Sequence, residues 1–177
     1  MHPALTDVLA ALDQSRERLR AAVDRVPSSL RDRRPDAERW SVAGVVEHLA
    51  LVEQRFTALL GGKLESARAA GLGREGDAPA LLSADMRTRL TDRSERRQAP
   101  EPTHPTGLDY SAAWQRAEAA RAAFRQLISA ADGLALGDVM HEHPRFGAMN
   151  VYQWAGFLAA HETRHTEQIR ELAGLLQ

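Results

Sequence analysis

Four stretches of the sequence carry apolar residues at every third or fourth position, and none alternates long enough to read as a strand. That pattern restricts the chain to packed helices. In the first stretch Leu5, Val8, Leu9, Leu12, Leu19, Val23 and Val26 form one stripe, ended by Pro27. The second follows Trp40-Ser41, with Ser41 as N-cap and Trp40 placed to staple onto Val45. Its stripe runs through Val45, His48, Leu49, Val52, Phe56 and Leu59, and Gly61-Gly62 is the expected stop. The third runs from about Asp109 to Gly133, with Ala113, Trp114, Ala117, Phe124, Leu127, Ile128 and Ala131 inward. The fourth opens at Asn150, an N-cap with Gln153 three residues on, while Met149 can staple onto Trp154. Its inward positions are Val151, Trp154, Leu158, His161, His165, Ile169 and Leu172.

Between the second and third helices lie residues 62–108, with Gly71, Gly73 and Gly76, a short helix expected over 81–97, and the proline-rich APEPTHPTG. A connection of that length can cross a bundle from end to end. The expected fold is all-α: a four-helix bundle with a long crossover between helices two and three, forming one domain over 1–177. Arg87, Arg89, Arg93, Arg96 and Arg97 make a basic run in the crossover, read as a solvated helix face because Asp92 and Glu95 are interspersed.

Charge and composition remove several function classes. The net charge of -1 sets up no field for nucleic acid or an anionic membrane, and no groove-reading motif accompanies the arginines. The N-terminus lacks the basic start and apolar run of a signal peptide, and no stretch approaches a membrane span, so the expected location is the cytoplasm. With no cysteine, disulfides and thiolate metal sites are excluded, leaving histidine and carboxylate as strong ligands.

The histidines then carry the argument. His161 and His165 lie four apart on the inward stripe of the last helix, so their rings leave one face a turn apart. His48 sits on the inward stripe of the second helix. Burying three imidazoles is costly unless their nitrogens find partners. One divalent cation would satisfy all three and keep a coordination position open to water or a substrate thiolate, the mark of a catalytic site. Three core histidines bonded to neighbours are the alternative. Imidazoles of this kind suit zinc, nickel, iron or copper. His141 and His143, in HEHPRFG, are placed either near the mouth of such a site or in a loop packed on the bundle end.

HETRH, residues 161–165, also spells H-E-x-x-H, the zinc-peptidase pattern. The extended form needs Gly and His where Gln168 and Glu171 stand, and only twelve residues follow His165 to supply another ligand. The peptidase reading is therefore weak. Glu162, a candidate catalytic residue, points about 100° around the helix from His161, and its competing reading is a surface carboxylate. Gln168, seven residues after His161, is a candidate to hold a ligand from behind or to act in catalysis. Arg164 and Arg145 are candidates for an anionic substrate, against a reading as solvated arginines.

Three stretches in this order resemble the DinB/YfiT family of small bacterial helical proteins: WSVAGVVEHLA (40–50), HPRFGAMNVYQW (143–154) and HETRHTEQI (161–169). The resemblance implies an up-down-down-up bundle, a divalent metal held by His48, His161 and His165, and a homodimer. It further implies either an S-transferase joining a low-molecular-weight thiol to an electrophile, in stress or detoxification, or a hydrolase. A non-catalytic metal-binding stress protein is the alternative from another class.

Overall fold

The computed structural model describes residues 1–77, 79–95 and 97–176. The described residues are mostly helical, with five α-helices, two single-turn 3-10 helices and one small sheet. Helix α1 spans Pro3–Val23, α2 Val42–Ala69, α3 Ala84–Thr91, α4 Tyr110–Ser129 and α5 Val151–Leu175. Two short strands, β1 (Met140–His143) and β2 (Gly147–Asn150), pair antiparallel just before α5.

The caps lie where the sequence placed them. Ser41 Oγ accepts the Gly44 N–H at 3.1 Å, and Asp109 Oδ1 accepts the Ala112 N–H at 2.9 Å. Asn150 and Gln153 form a reciprocal capping box at the start of α5. The expected stop at Gly61-Gly62 is corrected: α2 runs on to Ala69. Two glycines cost a helix roughly 1 kcal/mol each, but Leu60 just before them and Leu64 just after them are buried in the core, and that packing prevails. The helix ends instead at Gly71, whose φ of 83° allows the Leu72 N–H to reach back to the Ala67 carbonyl.

The hairpin was not foreseen. Its strands are four residues each, too short for an alternating pattern to register, and its turn relies on Gly147 at φ 74°. The helix expected over 81–97 is shorter, because at Asp92 the backbone has turned extended. Arg96 lies outside the described residues. The basic run is also less uniformly solvated than expected. Arg93 grips the α5 carboxylate of Glu171 with two bonds of 2.8 and 2.6 Å, tying the crossover to α5.

Helix α1 packs mainly on α5, and α2 mainly on α4; α2 also meets α5, and α3 lies against α5. The apolar interior falls into two clusters. One joins Leu5 to Leu12, Val52 to Leu64, Phe124 to Ala131 and Val151 to Ala160. The other joins Leu19 to Val26, Val42 to Ala50, Ala113 to Ala120 and Ile169 to Leu176. Between them lies a polar layer to which all four long helices contribute: Ser15 and Arg16, His48 and Glu53, Arg121, and then His161 and Glu162, all but His161 buried.

Candidate metal centre

His48, His161 and His165 converge in this layer, with one ring nitrogen from each within 4.8 Å of the others. His161 Nε2 and His165 Nε2 are 3.2 Å apart. The rings of His161 and His165 lie 5.3 and 4.8 Å from that of His48.

The orientation of each ring has a visible cause. His48 Nδ1–H donates to the Thr103 carbonyl at 2.8 Å, which leaves its Nε2 lone pair as the free ligand atom. Trp40, at 5.0 Å between centroids, backs the same ring. His165 Nδ1 is 2.7 Å from Gln168 Oε1, which fixes its donor nitrogen in the same sense. His161 stacks on Phe157 at 5.8 Å and 9°, and Phe157 in turn meets His143 on the hairpin at 5.1 Å. His143 therefore reaches the centre only through Phe157, while His141 packs on Trp154 at 5.8 Å.

The surroundings keep the imidazoles neutral. Burial pushes His48 below the usual histidine range. Burial, reinforced by its histidine neighbours, holds His161 well below it and His165 down to about 3. Neutral nitrogens are the form that binds metals. Tetrahedral zinc at about 2.0–2.1 Å from each nitrogen would set nitrogen pairs about 3.3 Å apart, close to the 3.2 Å between His161 and His165. Without a cation, His161 can donate an Nε2–H to His165 Nε2, but the Nε2 lone pair of His48, whose Nδ1–H goes to Thr103, has no hydrogen-bond donor among the described residues. The donor set fits a divalent transition metal.

The opposite side of the layer is ionic. Glu162 Oε1 accepts from Arg16 Nε at 2.8 Å and its Oε2 from Arg121 Nη2 at 3.1 Å and from the Ser15 hydroxyl. Glu53 Oε1 accepts from Arg121 Nε at 2.6 Å, and its Oε2 has Arg16 Nη2 at 3.4 Å. Two carboxylates and two guanidiniums thus neutralise one another where neither cluster of apolar residues could hold a lone charge. The reading of Glu162 as a surface carboxylate is corrected: it is 2% exposed. Arg164 is corrected likewise. It is buried, and its Nη2 donates to the Glu95 carbonyl at 3.0 Å, whereas Arg145 is exposed.

Sequence reasoning missed Thr103 and Glu47. Glu47 is fully buried beside His48 and accepts four bonds from Thr106, Gly107 and Leu108. It thereby anchors the proline-rich segment that presents the Thr103 carbonyl. The signal was a carboxylate on the inward side of α2, next to a ligand. A wider concavity of about 420 Å³, lined by Arg25, Pro27 and Arg170 among others, has no residue in common with the histidine cluster.

The profile of the DinB superfamily matches residues 11–169, which takes in the three histidines and both sides of the polar layer. The chain belongs to the DinB superfamily. It is also similar to the uncharacterized protein YuaE of Bacillus subtilis (strain 168), 28% identical over 147 residues, covering 80% of this chain and 82% of YuaE. No solved structure matches the chain.

Proposed function

We propose that this DinB-superfamily chain is a divalent-metal-dependent enzyme with His48, His161 and His165 as the metal ligands. The observation that carries the reading is the convergence of three neutral imidazoles, two of them with Nδ1 held by Thr103 and Gln168 so that Nε2 is left for an ion. A bound zinc, nickel or iron ion would supply Lewis acidity that stabilises a thiolate or hydroxide at neutral pH. The chain's own part is to hold the rings rigidly, through Thr103, Gln168, Trp40 and Phe157, and to leave His161 and His165 partly open to solvent for a substrate.

The activity we favour joins a low-molecular-weight thiol to an electrophile in stress or detoxification; hydrolysis of a small ester or amide is the second form of the same proposal. Peptidase chemistry is the form least supported, since Glu162 is committed to two arginines and a serine. The four long helices form, in this proposal, the up-down-down-up bundle. The apolar clusters support it, since the start of α1 shares a cluster with the end of α2, the end of α4 and the start of α5. Assembly as a homodimer belongs to the same proposal.

Elemental analysis of natively purified protein, wild type beside His48→Ala, tests the ligands. Turnover is then sought with thiols plus model electrophiles and with ester and amide substrates. A stoichiometric metal lost in His48→Ala, with turnover that follows it, is the expected result. A metal content indifferent to His48, or no metal-dependent turnover in any assay, would overturn the proposal.

A further inference from the structure

Two of the three proposed ligands have a partner on Nδ1, and the third does not. His161 Nε2 faces His165, and its Nδ1 has no protein hydrogen-bond partner among the described residues. A cavity of about 10 Å³ has His161 in its lining, together with Leu49, Glu53, Arg121, Leu158 and Glu162. That volume is the size of a single water, and a buried water needs two to four polar partners. Its walls offer them. Glu53 Oε2 is the poorly used acceptor of the ionic cluster, its one bond being the 3.4 Å contact with Arg16, and a carboxylate oxygen has room for more.

We infer that an ordered water in this cavity accepts the Nδ1–H of His161 and donates to Glu53, making Glu53 a positioning residue for the metal centre. The inference rests on the three-histidine reading above. It completes a pattern in which each ring is held from behind: a backbone carbonyl for His48, an amide side chain for His165, and a carboxylate reached through water for His161. Outer partners of this kind set the tautomer and raise the basicity of a ligand, and their loss costs about 10–100-fold in metal affinity. The buried ionic cluster then has a second task besides holding four helices together.

A high-resolution crystal structure of the metal-free protein is expected to show one ordered water within hydrogen-bonding reach of His161 Nδ1 and Glu53; its absence overturns the inference. Zinc affinity, measured by competition with a chromophoric chelator, should fall roughly tenfold in Glu53→Gln, which weakens the acceptor, and in Leu158→Phe, which fills the cavity. Leu158→Met, which conserves volume, should bind like wild type. The ligand-field bands of the cobalt(II) form should shift in Glu53→Gln while circular dichroism stays native. Wild-type affinity and unchanged cobalt bands in Glu53→Gln would overturn the inference and leave the three-histidine site standing. Should Leu158→Phe fail to fold, Glu53→Gln and the crystal structure decide. A wild type that takes up no zinc would remove the metal site itself, and the crystallographic water would then judge the bridge alone.

Discussion

His161 and Glu162 are neighbours in the chain but face opposite sides of one buried layer. The imidazole turns Nε2 to within 3.2 Å of His165 Nε2, while the carboxylate takes the Arg16 guanidinium at 2.8 Å. The roughly 100° between successive helical residues suffices to divide the layer into a histidine side and an ionic side. The two letters of H-E-x-x-H that suggest one reaction centre therefore belong to two different structures.

Removing the Glu162 carboxylate should act first on stability. Glu162→Ala takes from Arg16 and from Arg121 one of the three acceptors each has, leaving both guanidiniums buried, and breaking a buried pair in this way costs about 3–5 kcal/mol. Urea unfolding of the metal-free protein should show a loss of that size. If stability is unchanged and only catalysis falls, Glu162 is acting on substrate instead.

The helices and the inward histidines were legible because both depend on local periodicity: a stripe at 3.6 residues per turn announces which side chains face in. The ionic cluster was not. Glu53, Arg121 and Glu162 stand four residues after the inward Leu49, Ala117 and Leu158, but residue type and spacing name no partner for a charge there, and only the packing of four helices brings their charges together. Thr103 was hidden for a different reason. It contributes a backbone carbonyl, which leaves no mark on residue type, from a crossover without periodicity. The glycine pair at 61–62 misled because a local stop signal was outweighed by Leu60 and Leu64 in the core.

His48 is the only proposed ligand that α2 supplies, so it tests the cross-helix character of the site most directly. His48→Ala should reduce zinc retention after dialysis to background while the metal-free fold persists, since two histidines on one helix cannot enclose an ion. Circular dichroism beside metal analysis checks both halves of that statement. Collapse of the helical signal would assign His48 a structural role.

Gln168 should matter through His165. Gln168→Ala removes the acceptor at 2.7 Å from His165 Nδ1, and zinc affinity is expected to fall roughly tenfold with little change in the urea midpoint. Gln168→Glu retains an acceptor and should restore most of the binding. An affinity unaffected by Gln168→Ala would show that the helix alone orients the ring.

The histidines also set how the metal-free protein responds to acid. Burial lowers the folded-state values of His161 and His165 below the unfolded 6.5, the latter to about 3. The unfolded chain therefore binds more protons below pH 6.5, and stability must fall as the pH drops through that value, by roughly 1 kcal/mol per histidine by pH 5.5. Two carboxylates bear on the comparison. Burial pushes Glu47 up, but hydrogen bonds from Thr106, Leu108 and Gly107 outweigh it and leave Glu47 low, so its contribution is lost only below about 4.5. Burial raises Glu53, which gives the opposite slope above 4.5. Urea midpoints between pH 5.5 and 7.5, for wild type beside a His161→Gln/His165→Gln double variant, isolate the imidazoles. The wild type should lose stability on acidification and the double variant should lose distinctly less; equal slopes would mean that the two rings titrate alike in the folded and unfolded chains.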